Sequence, residues 1–165
     1  MNFFLNIPEP VNWTINNNLH IDLKWNEKQI TDHFNNSHSL NMFCGDEKSF
    51  IGTILSLEIF SDNNNKEFEI LHLGIVKNHR HKGIAFKLMQ FFEKKIYLEK
   101  KNTTIFLEVN SHNEIAIKLY KKLGYKFYNE RKNYYKNKTD INLIGESAIL
   151  FKKIINLKIR LRCTL

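Results

Sequence analysis

Apolar residues along this chain fall into two patterns: short continuous runs, and stripes that recur every three or four positions. The run 67–76 is followed by a stripe over 85–96, and the run 103–109 by a stripe over 113–123. Runs of this length are typical of buried strands, whereas the stripes are typical of helices that bury one face. The pattern therefore predicts strand, helix, strand, helix in the central part of the chain.

The predicted elements extend over most of the sequence. A first predicted strand begins at 3–5, and further strands lie at about 39–44, 48–59, 67–76, 103–109, 125–135 and 146–153. The predicted helices span 26–36, 83–100 and 113–123. Hairpin-connected strands followed by strand, helix, strand and helix predict a mixed α/β sheet. Parallel neighbours that diverge open a cleft at their carboxyl ends, where ligands bind in such sheets.

Residues that cap helices mark several of the predicted ends. Asn26 is the expected N-cap of the helix over 26–36. Ser111 and Glu114 form a predicted capping box at the start of the helix over 113–123, and Gly124 ends that helix.

The junction between the strand 67–76 and the helix that follows it is basic and carries a glycine. It reads RHKGIA from Arg80 to Ala85. A glycine lets the backbone turn tightly, and the first amides of a helix attract anions. The junction therefore predicts a pyrophosphate cradle, although the motif alone fits a solvated helix start about equally well.

Two residues near the second junction have side chains suited to proton transfer. Glu108 lies near the end of a strand among apolar neighbours, so we expect partial burial to raise its pKa, as in a general base. Judged by alternation alone, it is an ordinary polar residue on an exposed strand face. Tyr120 lies on an apolar helix stripe, where the corresponding interpretation is core packing.

Three segments occur together in the order of a known family: RHKGIA, LEVNSHNEIAIKLYKKLGYKF and ERKNYY. In these segments the chain resembles the GCN5-related N-acetyltransferase superfamily, and within it the bacterial ribosomal-protein-alanine N-acetyltransferase (RimI) group. The match is strongest over 68–135. The resemblance implies one domain over 1–165, with a central mixed, mostly antiparallel sheet flanked by helices.

The resemblance also implies roles for particular residues. Glu108 and Tyr120 fall where the family has its general base and general acid. The positions implied to hold acetyl-CoA are Leu73, Gly74, Ile75, Arg80, His81, Lys82, Gly83, Ile84, Ala85, Phe86 and Asn113. Those implied to bind the acceptor are Arg131, Tyr134 and Tyr135.

The reaction implied by the resemblance is transfer of an acetyl group from acetyl-CoA to the N-terminal α-amine of a protein, with a ribosomal protein beginning with alanine as acceptor. Two alternatives stay open: a small-molecule or broad-specificity amine acetyltransferase, and a non-catalytic acyl-CoA- or RNA-binding module on the same fold. The joint presence of Glu108, Asn113 and Tyr120 speaks against the non-catalytic module.

Charge is unevenly distributed along the sequence. Residues 1–75 carry 4 Lys/Arg against 10 Asp/Glu, whereas residues 76–165 carry 21 against 7, and the whole chain has a net charge of +8. A positive field raises the local concentration of a phosphate-bearing ligand such as coenzyme A. The lysine pairs at 94–95, 100–101, 121–122 and 152–153 are expected on solvated helix faces, so we expect any RNA contact to be incidental.

The remaining composition predicts a soluble, cytoplasmic enzyme without a metal. The hydrophobic fraction of 42% suits a folded domain, and no apolar run has the length of a membrane span. Cys44 and Cys163 lie in unrelated segments and predict no disulfide framework. His79 and His81 have no accompanying carboxylate or cysteine cluster, so we expect no metal site, and we expect a monomer or weak dimer.

Overall fold

The computed structural model describes residues 1–5, 7, 9–17, 25–46, 49–135 and 146–156. Its strands are β1 Asn2–Phe4, β2 Met42–Gly45, β3 Phe50–Ser61, β4 Asn65–Ile75, β5 Asn102–Asn110, β6 Lys126–Tyr135 and β7 Glu146–Ile155. Its helices are α1 Pro10–Asn16, α2 Glu27–Asn35, α3 Ile84–Tyr97 and α4 Glu114–Lys122, and a 3₁₀ turn spans Lys77–His79. The described elements follow the predicted order, with α1 as an addition.

The strands form one seven-stranded sheet in the order β1-β2-β3-β4-β5-β7-β6. β4 and β5 pair in parallel, and the other neighbouring pairs are antiparallel. The parallel pair is joined through α3, as a crossover connection requires. The prediction of a mixed, mostly antiparallel sheet flanked by helices is confirmed.

Helix α3 covers one face of the sheet with the stripe that its sequence predicts. The side chains of that stripe are fully buried: Leu88, Met89, Phe92 and Ile96. Phe92 packs edge-on against Phe68 of β4, with 6.2 Å between ring centroids. Burial of each large apolar side chain contributes about 1.5–3 kcal/mol, so this layer holds α3, and the turn before it, firmly on the sheet.

The short helices at the start of the chain lie against Phe43 of β2. The ring of Trp13 in α1 lies 5.4 Å from the Phe43 ring, and that of Phe34 in α2 lies 6.2 Å from it. Asn26 caps α2 as predicted, because its side chain accepts from the Gln29 amide while the Gln29 side chain accepts from the Asn26 amide. The face of β2 opposite to α3 is thereby covered.

The β4–β5 pairing stops before either strand ends. It runs from Asn65–Asn102 to Ile70–Leu107. β4 continues to Ile75 on the β3 side, and β5 continues to Asn110 on the β7 side. The two strands therefore part beyond Ile70 and Leu107, as the predicted cleft at their carboxyl ends requires.

Two local predictions were wrong. The capping residue of α4 is Asn113, whose side chain accepts from the Ala116 amide at 3.1 Å, and not Ser111 with Glu114. Two of the lysine pairs expected on helix faces are not there: Lys100 and Lys101 follow α3, which ends at Tyr97, and Lys152 and Lys153 lie in β7. Lys153 is half-buried because its Nζ contacts Glu93 Oε2 at 2.6 Å and the Leu123 carbonyl at 2.7 Å, so it ties β7 to α3 and α4.

The end of α4 carries the predicted C-terminal glycine. Gly124 follows the C-cap residue Leu123 and has a φ of +85°. Among the described helices, none combines the length and apolar composition of a membrane span. Cys163 and residue 48, where we expected a strand to begin, lie outside the described residues.

Candidate active site

The junction between β4 and α3 forms a braced turn. The 3₁₀ turn Lys77–His79 leads into Arg80, whose Nε donates to the Ile75 carbonyl at 2.8 Å. Lys82 Nζ donates to the Asn78 carbonyl at 3.0 Å. These bonds hold the basic segment against the end of β4 and the 3₁₀ turn, directly before α3 begins.

Gly83 is required by the backbone conformation of this turn. It is the N-cap of α3 with a φ of +73°, a region that residues with a Cβ rarely adopt. A Cβ built there would meet no atom within 4 Å, so crowding by the protein is not the reason for glycine. His81 also has a positive φ, +61°. The open space around Gly83 is available to a ligand that approaches the backbone.

The start of α3 presents unpaired amides to this space. Within the described part of the chain, no side chain caps the helix, and the first helical bond runs from the Lys87 amide to the Gly83 carbonyl at 3.2 Å. The amides of Ile84, Ala85 and Phe86 belong to the turn whose donors lack intrahelical partners. Amides and dipole together favour an anion at this point.

Lys122 adds a positive charge that the sequence did not place at the turn. Its Nζ lies 5.1 Å from the ring centroid of Phe86, on the first turn of α3. The charge thus reaches the turn from α4, which is the next helix along the chain. The order of the helices along the chain does not predict that Lys122 lies near the start of α3.

The segment Leu73–Ile75 lies along the cleft at the end of β4. Its residues pair with β3 through Ile54–Leu73, Thr53–Gly74 and Gly52–Ile75. The opposite edge of this segment faces the space left by β5, because the parallel pairing has already ended at Ile70. Backbone groups on this edge have no partner strand on the β5 side beyond Ile70, so they border the space between β4 and β5.

Glu108 lies just beyond the last β4–β5 pair. It alternates with Leu107 and Val109, which are buried toward α3 and α4, so its own side chain points to the other face of the sheet. That side chain is 20% exposed, and its Oε2 lies 3.0 Å from Arg131 Nη1. The resemblance placed Arg131 among the acceptor-binding residues, but its ion pair with Glu108 had not been predicted.

Burial raises the pKa of the Glu108 carboxyl above its ordinary value, as the sequence led us to expect. The positive charge of Arg131 opposes this rise, and so does a hydrogen bond from Tyr134. The negative charge of Glu69 adds to the rise. The carboxyl is therefore a stronger base than an exposed glutamate, held between one cation and one anion.

Tyr120 lies on the other side of the sheet, in the core under α4. It is 7% exposed, and its ring lies 5.9 Å from that of Tyr125 and 6.4 Å from that of Phe151. Phe151 pairs in register with Leu107, the neighbour of Glu108. Burial raises the pKa of the Tyr120 phenol above its ordinary value, so the phenol stays protonated.

Asn113 stands at the mouth of the cleft as the N-cap of α4. Its Oδ1 accepts from the Ala116 amide, and the residue is exposed. The side-chain oxygen is thus used in capping, while the amide nitrogen points to no partner among the described residues. Contact with a bound molecule through that nitrogen stays a prediction.

Arg131, Tyr134 and Tyr135 lie together at the end of β6. The guanidinium carbon of Arg131 lies 5.4 Å from the Tyr134 ring centroid, and the two tyrosine rings are 5.0 Å apart and nearly perpendicular. The negative charge of Glu108 contributes to a raised pKa of Tyr135, behind the larger effect of burial. The structure therefore brings these three residues to Glu108, while their contact with an acceptor stays a prediction.

Two residues near Glu108 had not been predicted. Glu69 of β4 pairs with Phe106, two positions before Glu108 on the same face of β5. Tyr128 of β6 packs its ring 5.6 Å from that of Phe106. Alternation along β4 places Glu69 on that face, but the strand register that brings it beside β5 has no signal in the sequence.

Other parts of the described chain offer no competing centre. Among the described residues, no group of three or more His, Cys, Asp or Glu is placed to hold a metal ion. A hollow bordered by Phe60, Lys66 and Thr103 lies at the opposite end of β4 and β5, where their pairing begins. It is separated from Glu108 by the length of the paired strands.

Comparison with known proteins identifies the family. The sequence model of the acetyltransferase (GNAT) family matches residues 10–125. The chain belongs to the GNAT family. The turn at Gly83 and the parting of β4 and β5 are thus features of a GNAT fold in this chain.

Individual relatives fit the same family. N-alpha-acetyltransferase 30 of Schizosaccharomyces pombe is 33% identical over 95 residues, which are 58% of this chain and 63% of the relative. The chain thus spans less than two thirds of that curated relative's length.

Solved structures share the GNAT fold with this chain. Arabidopsis thaliana NAA60 in complex with a bisubstrate analogue has a TM-score of 0.74 at 21% identity, covering 94% of this chain and 98% of that one. The ribosomal-protein-S18-alanine N-acetyltransferase of Escherichia coli also has a TM-score of 0.74, at 19% identity, covering 94% and 96%.

Proposed function

We propose that this protein is an acetyl-CoA-dependent N-acetyltransferase that modifies the N-terminal α-amine of a protein, and that its acceptor is a ribosomal protein with N-terminal alanine. The observation that carries the proposal is the position of Glu108. It is a partly buried carboxylate just beyond the last β4–β5 pair, beside the parting of the strands, and the turn at Gly83 follows the end of β4.

The residues around the turn fit the phosphates of acetyl-CoA. The uncapped start of α3, the left-handed Gly83 and the basic side chains of Arg80 and Lys82 provide amide donors and positive charge. The open edge of Leu73–Ile75 provides backbone groups for the pantetheine arm. Acetyl-CoA supplies an acetyl thioester at the cleft, whose carbonyl carbon accepts an amine and whose sulfur departs.

Glu108 prepares the amine for attack. An α-amino group has a pKa of about 8, so most of it carries a proton at neutral pH and has no free electron pair. The raised pKa of Glu108 brings the carboxylate closer to that of the amine, which favours transfer of the proton. Arg131 and Tyr134 hold the carboxylate in place.

Tyr120 donates a proton to the leaving sulfur from the opposite face of the sheet to Glu108. Its buried phenol stays protonated at neutral pH and serves as the donor to the leaving sulfur. Amides on the open edge of β4 hold the carbonyl oxygen as it gains negative charge. Much of the remaining rate comes from positioning the two reactants against each other.

Tyr134 and Tyr135 form the wall beside Glu108 where the first residue of an acceptor would lie. Their perpendicular packing, with the guanidinium of Arg131 against Tyr134, restricts the space. The names of the relatives support a protein N-terminus, since one is an N-alpha-acetyltransferase and another acts on a ribosomal-protein alanine. We place the reaction in the cytoplasm and treat residues 1–165 as one catalytic domain, a monomer or weak dimer with only incidental RNA contact.

The test is release of coenzyme A thiol from acetyl-CoA in the presence of peptides that differ in their first residue. We expect turnover with an Ala-first peptide, and none when its α-amine is blocked. Turnover with free polyamines but with no peptide would favour a small-amine acetyltransferase. Binding of acetyl-CoA without turnover of any amine would favour the non-catalytic module.

A further inference from the structure

We propose that Lys153 of β7 is a positioning residue for Tyr120, and that Glu93 of α3 holds Lys153 in place for this role. Through the end of α4 and the ring of Tyr125, Lys153 keeps the Tyr120 phenol where it can donate its proton to the leaving sulfur. This inference rests on the proposed function, because it assigns Lys153 to the residue that acts there as general acid. Lys153 acts through Tyr120 and is assigned no contact with either substrate.

The helix that carries Tyr120 is short and buries little of its surface. α4 has nine residues, and Tyr120 is the residue of this helix that is buried. Leu123, which follows as C-cap, is buried as well. A helix of this length depends on tertiary contacts for its stability. The place of Tyr120 therefore depends on how the C-terminal end of α4 is attached to the sheet.

Lys153 attaches this end of α4 directly. Its Nζ donates to the Leu123 carbonyl at 2.7 Å. The last carbonyls of a helix have no partner within the helix, so a cation at this point satisfies one of them and is favoured by the helix dipole. In the same turn the Tyr125 amide donates to the Tyr120 carbonyl at 3.0 Å. A displacement of this turn would thus move Tyr120 with it.

A second contact leads from Lys153 to Tyr120 through an aromatic ring. Lys153 Nζ lies 5.6 Å from the ring centroid of Tyr125, a distance at which a cation is attracted to the ring. The Tyr125 ring is buried and packs edge-on against the Tyr120 ring, with 5.9 Å between centroids. Lys153 therefore acts on both the backbone and the side-chain packing of Tyr120.

Glu93 fixes the ammonium group between the two helices. Its Oε2 lies 2.6 Å from Lys153 Nζ, and the two side chains are only 13% and 24% exposed. Burial raises the pKa of Glu93, and the contact with Lys153 opposes that rise. Apolar residues can replace such a buried pair without loss of stability, so stability alone does not account for it. A directional bond to the end of α4 is what the pair provides and an apolar contact would not.

The test is a double-mutant cycle on the single-turnover rate of the full chain, with saturating acetyl-CoA and an Ala-first peptide. Lys153→Met removes the charge and the hydrogen bond while keeping an unbranched side chain. We expect the rate to fall about tenfold, as for a slightly misplaced catalytic group. In the Tyr120→Phe background the same change should lower the rate no further. The dissociation constant of acetyl-CoA and the KM of the peptide should stay as in wild type.

The matched control is Lys121→Met, which removes the same charge from an exposed position in the last turn of α4. It should retain the wild-type rate. Glu93→Gln combined with Lys153→Met removes the ion pair without leaving a lone charge, and it replaces the single variant if Lys153→Met does not fold. We expect the same loss of rate from it. Lys153→Arg, which can still donate to the Leu123 carbonyl, should retain part of the rate.

Four results would overturn the assignment. An equal loss of rate in the wild-type and Tyr120→Phe backgrounds would show that Lys153 does not act through Tyr120. An equal loss in Lys121→Met would show a general effect of charge. An unchanged rate in folded Lys153→Met would remove the role of Lys153 while leaving the proposed function intact. A wild type that acetylates no amine would overturn the proposed function as well.

Discussion

Arg131 Nη1 lies 3.0 Å from Glu108 Oε2, joining the edge strand β6 to the end of β5 across the intervening strand β7. A guanidinium at this distance lowers the pKa of the carboxyl that burial raises. The ion pair therefore sets how basic Glu108 is and where its side chain stands. Arg131, which the resemblance assigned to the acceptor, thus contacts the proposed base.

Removal of Arg131 is expected to shift the pH dependence of the reaction. Because Arg131 lowers the pKa of Glu108, Arg131→Ala should raise that pKa further. Glu108 is active as a base only when deprotonated, so the acidic limb of the kcat/KM profile should move to higher pH. The profile is measured between pH 5 and 9, a range of about two units either side of neutrality. Lys132→Ala, an exposed neighbour, is the control, and an unmoved acidic limb would show that the ion pair does not act on the base.

Replacement of Glu108, the proposed base, should reduce turnover strongly. Glu108→Gln keeps the shape of the side chain and removes the proton acceptor, so kcat should fall by about a hundredfold to ten-thousandfold near neutral pH. Part of the rate should return at high pH, where the amine loses its proton unaided. Glu114→Gln, on the exposed face of α4, should retain wild-type turnover. Full activity of Glu108→Gln would assign the proton transfer to another group.

Loss of the Tyr120 hydroxyl should affect chemistry and not binding. Tyr120→Phe keeps the ring against Tyr125 and Phe151, so the core packing is preserved. We expect a lower kcat with unchanged affinity for acetyl-CoA, since the proton is donated only as the sulfur leaves. The check is single-turnover kinetics beside calorimetric titration. If single-turnover rates equal those of wild type, Tyr120 is a packing residue.

A side chain at Gly83 should weaken acetyl-CoA binding. Gly83→Val places a branched side chain in the open space before α3 and forces an unfavourable left-handed conformation, which costs about 1–2 kcal/mol of stability. The matched control is Gly124→Val, because Gly124 also has a positive φ and open surroundings but ends α4. Both variants should lose stability in thermal unfolding. Calorimetry should show weakened acetyl-CoA binding in Gly83→Val alone.

The tyrosines of β6 should determine the preference for a small first residue. The measurement is the ratio of kcat/KM for Ala-first and Leu-first peptides, which we expect to be well above one in wild type. Tyr134→Ala removes the ring beside Arg131 and should bring the ratio closer to one. Tyr134→Phe keeps the ring and loses only the hydrogen bond to Glu108, so the ratio should persist while the pH profile shifts. A wild-type ratio near one would favour an acetyltransferase for small amines.

The elements of this fold were predictable because they depend on near neighbours. Apolar residues three or four apart in 85–96 define the buried face of α3, and the stripe is buried as expected. Gly83 and Gly124 were identified because a positive φ favours glycine wherever it occurs. Even so, the sequence offered both Ser111 and Asn113 as caps of α4, since which of two nearby polar residues reaches the Ala116 amide depends on the bend of the chain.

The sequence by itself determined the strands, the helices, the basic glycine turn and the polar end of β5, because each depends on residues that are close together in the chain. Only the tertiary structure decided which distant residues surround Glu108. Arg131 reaches it across β7, and Glu69 comes beside it through the β4–β5 register. A shift of that register by one residue would turn Glu69 to the other face of the sheet. The burial of both faces selects the register, and no local stretch of sequence contains that information.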